Sequence, residues 1–313
     1  MASKPGGAAA RLGWIGIGRM GYPMAARLAK AGAEMAVYNR TRAKAEPLRE
    51  VGASVVDTPA ELAGREIVFT MVSTSEDLLA VTLGKDGLLS RPGQVPKIVI
   101  DCSTVSEEAS AKLRAAAAER GAMMLAAPVS GNAKVVKAGK LSLVVSGPRP
   151  AYDRALPWLE KLGTGVAYVG EGELARIVKI CHNVFLGVVI QSLVEITVLA
   201  EKAGVPRHAF LEFMNQSVMG SVFTRYKTPA LVKLDFTTTF TPPLLRKDMD
   251  LGLAAAKGLN VPMPVAAAAR EMVQALIGNG HLDDDFATLL LLQARNSGLI
   301  LKPEAVAVAD GLT

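Results

Sequence analysis

A chain of 313 residues, half of them hydrophobic but only 5% aromatic, is long enough for two domains with cores built from Ala, Val, Leu and Ile. Its net charge of +6 is spread along the chain with no basic run interleaved with aromatics, which argues against nucleic acid and suits a small anionic ligand equally well. Cys102 and Cys181 both lie in apolar sequence surroundings, and three unclustered histidines (His182, His208, His281) offer no metal spacing, so a reducing, cytoplasmic setting with neither disulfides nor a metal site is expected.

Residues 1–10 read as a disordered Ala- and Gly-rich tail, lacking the apolar core of a signal peptide. Arg11 to Ile17 is then an apolar strand. Gly16, Gly18 and Gly21 form G-x-G-x-x-G at its end, Met24 to Ala31 continue as a helix, and Ala33 to Tyr38 make a second strand. The glycines alone are weak evidence. Strand, glycines, helix and strand within about 30 residues make them a dinucleotide fingerprint, because the backbone can approach a pyrophosphate held at the helix N-terminus. The end of the second strand selects the cofactor. NAD-binding folds place Asp or Glu there for the ribose 2′-hydroxyl. Here stand Asn39, Arg40, Thr41 and Arg42, so NADP(H) is expected over NAD(H), with Arg40 meeting the 2′-phosphate and Asn39 or Thr41 bonding it.

Further strands are expected at Glu66 to Val72, Lys97 to Asp101, 121–131, Lys140 to Ser146 and Gly165 to Val169. Ligands of such α/β sheets sit in the crevice at the strand ends. Two hydroxyl-bearing loops end strands there, one with Ser103 and Thr104, the other with Ser130 and Gly131. Gly172 to Lys202 then reads as one helix roughly 45 Å long. Glu171 and Glu173 suit its positive start, Lys202 suits its negative end, and Gly204 with Pro206 terminates it. Val184 to Ala200 is apolar on almost every face, so burial nearly all round is expected. Only fifteen residues between Lys179 and Glu195 are free of charge, fewer than the roughly 20 that a bilayer requires. Into this rod the sequence places Lys179 and, one turn on, Asn183 in the same angular sector. A buried ammonium is costly unless it has a partner or a task, whereas a snorkelling lysine needs neither.

Beyond this helix the chain reads as helical, with breaks at Pro229, Pro242–Pro243 and Pro262–Pro264. Asn215 to Arg225 reads as a loop, and helices are expected at Leu244 to Lys257 and Val265 to Ile277. The expected fold is therefore α/β, a Rossmann dinucleotide-binding domain over 11–170 followed by an all-helical domain over 171–313, with the long helix between.

The motifs, in order, resemble the β-hydroxyacid dehydrogenases, the superfamily of 3-hydroxyisobutyrate dehydrogenase, tartronate semialdehyde reductase and glyoxylate/succinic semialdehyde reductase. GWIGIGRMGYPMA is similar to the cofactor loop, DCSTVS to its D-x-S-T segment, and APVSGNAKVVKAGKL to the substrate segment. RIVKICHN is similar to the K-x-x-x-N catalytic segment and KDMDLGLA to a K-D-x-x-L-A helix start with Gly252 as an extra residue. The likeness runs from residue 12 to about 295. It implies that Lys179 is catalytic and that Ser130, Gly131, Asn132 and Asn183 bind substrate. It also implies that Gly16, Gly18, Arg19, Met20, Gly21, Asn39, Arg40, Thr41, Thr104 and Lys247 bind cofactor, Lys247 by closing over it. Family members use the long helix in a homodimer or tetramer. Many members have a second glycine where this chain has Asn132, and the glyoxylate/succinic semialdehyde branch varies there too, which leaves the substrate open.

A matching mechanism follows from the residues. Hydride passes between nicotinamide and the carbon bearing the hydroxyl or carbonyl, and Lys179 gives or takes the proton. The Ser130–Asn132 loop would hold the carboxylate of a small anionic hydroxy acid or carbonyl substrate. His182 is a weaker rival base, since only the lysine has Asn183 at i+4. The alternatives are an imine reductase-like enzyme, which usually has Asp or Tyr in place of this lysine, and an NADP-binding protein without turnover.

Overall fold

The computed structural model describes residues 10–312, so the expected tail lies outside them apart from Ala10. The chain forms two compact units, Met1–Lys179 and Ile180–Thr313.

The first unit opens with β1 (Arg11–Ile15), α1 (Gly21–Lys30), β2 (Glu34–Tyr38), β3 (Ser54–Val55), β4 (Ile67–Thr70), α2 (Ser75–Leu83), β5 (Ile98–Asp101), α3 (Glu107–Glu119) and β6 (Met123–Ala126). These strands make one parallel sheet in the order β3-β2-β1-β4-β5-β6. Alternation with period 2 explains why runs such as IVFT are apolar throughout. Trp14, Phe69 and Ile100 enter one core with Met24 and Leu28 of α1, while Ile15, Val68 and Val99 enter another with Leu78 of α2 and Leu113 of α3. Trp14 stacks on Phe69 across the β1–β4 pair, with ring centroids 5.3 Å apart. Helices thus cover both faces.

The strand expected over 121–131 is two strands in two sheets. Pro128 has no N–H to continue the ladder. The chain therefore leaves the main sheet after β6 and enters a three-stranded one: β7 (Val129–Ser130), β8 (Leu141–Val145) and β9 (Gly163–Tyr168). α4 (Ala133–Lys137) and α5 (Arg149–Leu162) connect them. β7 runs antiparallel to β8, which is parallel to β9.

α6 (Leu174–Lys202) is a single continuous helix. Glu171 and Glu173 precede it rather than forming its first turn, and Glu173 instead bonds Arg114 at 2.8 Å. By length and composition alone α6 could cross a membrane, a test that core helices also pass. The expectation of burial nearly all round does not hold. Val184, Ile190, Leu193, Val194 and Val198 are buried, whereas Phe185 is 67% and Leu199 69% exposed. Phe185, Ser192, Ile196 and Leu199 follow helical spacing, so one stripe stays bare along the helix.

The second unit is helical: α7 (Arg207–Gln216), α8 (Val222–Lys233), α9 (Pro242–Gly258), α10 (Pro264–Gly278) and α11 (Leu289–Asn296). Ile190, Leu231, Leu245, Met249, Val273 and Leu290 share its core. Two expectations are corrected. The stretch 215–225 is not one loop, since α7 and α8 take both ends and only residues 217–221 connect them. Pro229 does not break α8 either. The turns on either side of it are held by burial of Lys227, Thr228, Leu231 and Val232, and Lys227 pairs with buried Asp285 at 2.6 Å. Pro242 and Pro243 open α9, where a missing N–H costs nothing.

Candidate functional site

β1 ends between β2 and β4, where the strand order reverses and α/β sheets bind ligands. The loop beyond it is pinned at its start through both backbone groups of Gly16. The Gly16 amide donates to the Tyr38 carbonyl at 2.9 Å, and Trp14 Nε1 donates to the Gly16 carbonyl at 3.0 Å. Gly16 has φ +97°, and a Cβ there would lie 2.2 Å from the Met71 carbonyl oxygen. A Cβ on Gly21 would lie 1.9 Å from the Gly16 oxygen. Gly18 is different: nothing stands within 4 Å of where its Cβ would be. Its backbone therefore faces open space beside the exposed Arg19, with Met20 half-buried behind. α1 begins at this point with no side-chain cap and no acidic residue in its first turn. Amides at such a start suit an external anion, so the loop fits a dinucleotide pyrophosphate.

The end of β2 forms the second wall. Asn39 braces the loop, accepting from the Ile17 amide at 2.8 Å and donating to the Thr41 carbonyl at 2.8 Å. Arg42 is already held by Glu46 at 2.9 Å and by Asp57. Arg40 is 83% exposed and pairs with Asp77, 3.1 Å away at the start of α2. An exposed guanidinium suits a 2′-phosphate, and no carboxylate stands in the strand-end segment Asn39–Arg42 for a ribose hydroxyl.

At the end of β5 the structure adds a cluster that motif reading passed over. Buried Asp101 accepts from Thr70 Oγ1 at 2.6 Å and from Ser103 Oγ at 2.7 Å. Its other oxygen is paired with the Arg176 guanidinium, which also donates to the Ser103 carbonyl at 2.5 Å. Ser103 is thus a buried brace rather than a site hydroxyl, while neighbouring Thr104 is half-buried. Arg176 lies in the first turn of α6, and the helix start is further held by Arg114 and Ser146. Lys179, half-buried, follows three residues after Arg176, about one turn further along the same face of α6. Cys102 is buried here, and burial and the Asp101 charge push its thiol far above the usual range, which makes it inert. Cys181, expected in apolar surroundings, is exposed.

Ser130 pairs with Ser142 in the second sheet, and Gly131 follows with φ +132°. The Asn132 side-chain oxygen caps α4, accepting from the Lys134 and Val135 amides at 3.0 and 3.1 Å.

In the second unit Asn183 is buried and held at both ends of its amide. Nδ2 donates to Asp248 Oδ2 at 2.6 Å, and Oδ1 lies 2.9 Å from His182 Nδ1. A carboxylate only accepts, so Asp248 fixes which way the amide points. Lys247 lies 3.2 Å from the other Asp248 oxygen. Asp248 was missed in the sequence, although it is the second letter of the KD motif.

Comparison with known proteins decides the family. The family model for the NAD binding domain of 6-phosphogluconate dehydrogenase matches residues 11–170, and that for the NAD-binding region of NADP-dependent 3-hydroxyisobutyrate dehydrogenase matches residues 173–292. The chain is a β-hydroxyacid dehydrogenase superfamily member. Glyoxylate/succinic semialdehyde reductase 2 of Arabidopsis thaliana is 31% identical over 280 residues, 89% of this chain and 78% of that protein. The 3-hydroxyisobutyrate dehydrogenase of Pseudomonas aeruginosa is 34% identical over 269 residues, 83% and 90% of the two. The solved 3-hydroxyisobutyrate dehydrogenase of Mycobacterium tuberculosis with L-serine has a TM-score of 0.77 and 26% identity, covering 91% of this chain and 99% of that one. This β-hydroxyacid dehydrogenase is thus an oxidoreductase with a nicotinamide cofactor. Its glycine-rich loop after β1 was readable from spacing alone. Arg176 and Asp248 were not, because their partners lie 75 and 65 residues away along the chain.

Proposed function

We propose that this enzyme interconverts a small β-hydroxy acid and its semialdehyde or oxo-acid counterpart with NADP(H), and that Lys179 is its general acid–base. The observation that carries the proposal is the anchoring of α6 by the buried Arg176–Asp101 pair, with Lys179 one turn further along. The relatives named for semialdehydes and 3-hydroxyisobutyrate, and the solved relative holding L-serine, support the substrate class.

When bound, the nicotinamide supplies hydride exchange at the carbon bearing oxygen. The Gly16–Gly21 backbone and the start of α1 would hold the pyrophosphate, Arg40 the 2′-phosphate, and Thr104 and Lys247 the nicotinamide side. Ser130, Gly131 and Asn132 would take the substrate carboxylate, with Asn183 orienting the substrate. In reduction Lys179 Nζ gives a proton to the developing alkoxide, and in oxidation it removes one from the hydroxyl. The bare stripe on α6 supports a homo-oligomer in which a second copy covers Phe185 and Leu199.

Saturating kinetics on Lys179→Met test the role of the lysine. A proton donor predicts intact NADPH affinity and a kcat lower by roughly 10²–10⁴. A lysine that only binds substrate would raise KM and spare kcat. A kcat within a few-fold of the parent rejects the assignment.

A further inference from the structure

We propose that Asp77 sets how strongly this enzyme prefers NADP(H) over NAD(H), by competing with the cofactor's 2′-phosphate for the Arg40 guanidinium. The inference rests on the NADP(H) reading above and adds the residue that tunes it.

Two arginines follow β2, and they stand in different electrostatic states. Arg42 is neutralised by Glu46 and Asp57. Arg40 projects into solvent, with one oxygen of Asp77 at 3.1 Å. The two ends of this pair are not equally free. Asp77 lies in the first turn of α2, and its amide donates to the capping Thr74 hydroxyl at 3.1 Å. Its side chain is 30% exposed against 83% for Arg40. The carboxylate is therefore the more enclosed partner and the arginine the more exposed one. An ion pair this exposed contributes little on its own, so a dianionic phosphate takes over the guanidinium, whose fork suits phosphate geometry. The displaced or shared carboxylate then remains beside the phosphate. Like charges about 6 Å apart in water repel enough to weaken binding of a dianion roughly tenfold. NAD(H) carries a neutral hydroxyl at that position and escapes the repulsion. Asp77 thus blunts a preference that Arg40 creates.

The test is direct titration of NADPH and NADH, read by cofactor fluorescence, against the parent enzyme, Asp77→Asn, Arg40→Ala and the double variant. Asp77→Asn should tighten NADPH about tenfold and move NADH by less than about twofold. The gain should change when Arg40 is also replaced, because the competition for the guanidinium is then gone and only direct repulsion of the phosphate remains. It should shrink at about 0.5 M salt, where screening shortens the reach of the carboxylate. If Arg40→Ala erodes the NADPH preference but Asp77→Asn leaves it unchanged or lowers it, this inference alone is overturned. If Arg40→Ala leaves the ratio of the two affinities unmoved, the NADP(H) reading fails and this inference fails with it.

Discussion

Among the described residues, the large apolar side chains left exposed fall almost entirely in the second unit. Only Leu174 and Val178 belong to the first, and both lie on α6. The second unit leaves Phe185, Leu199, Phe213, Val218 and Met219 in solvent. The difference follows from architecture. A parallel sheet is wrapped on both faces by the helices that connect its strands, so the covalent chain supplies its own cover. A helical unit built on an apolar rod has no such guarantee, and part of the rod stays exposed. The same contrast appears in the candidate residues of each unit. In the first, the Gly16–Gly21 loop is backbone in which glycines meet carbonyl oxygens closely. In the second, Asn183 and Asp248 are joined through side chains.

Three substitutions break or sharpen this contrast. Gly21→Ala carries the largest expected effect, because its methyl group would lie 1.9 Å from a carbonyl oxygen that no rotamer change can move. It should destabilise the protein by about 3 kcal/mol and weaken NADPH binding together, as overpacking does. A variant with parental melting temperature and cofactor affinity would show that the loop is not a close-packed cradle.

Asp248→Ala comes next. It leaves the buried Asn183 amide without its acceptor, a cost of about 1–3 kcal/mol. If the pair positions substrate, kcat/KM should fall by roughly ten- to a hundredfold, and Asp248→Asn should restore part of it, because its amide oxygen still accepts from Asn183 Nδ2. A lower Tm with unchanged kcat/KM would make the pair a fold contact only.

Phe185→Asp should have the smallest effect on folding, within about 0.5 kcal/mol, since the side chain is 67% exposed. Its effect should show in light scattering instead, as a shift from the parent oligomer toward the monomer. A parent already monomeric at micromolar concentration would leave the stripe without the second copy.

The sequence was most legible where structure is local. Strand β1, the glycines and α1 were read within a residue or a few, because a G-x-G-x-x-G turn needs only neighbouring backbone to define it. Helices α9 and α10 were also located well, from prolines at their starts. Pro229 misled because a proline's local penalty was weighed without the packing that holds α8 around it. The strand at 121–131 was over-extended because apolar alternation carries across Pro128 although the hydrogen-bond ladder does not.

Local sequence thus determined the fold class, the glycine-rich turn after β1 and the residue types at the end of β2, since spacing, backbone freedom and charge are properties of short segments. Tertiary structure decided which carboxylate pairs with Arg40 and which one orients the Asn183 amide. Both carboxylates lie more than 30 residues away along the chain and arrive only when the sheet and helices pack.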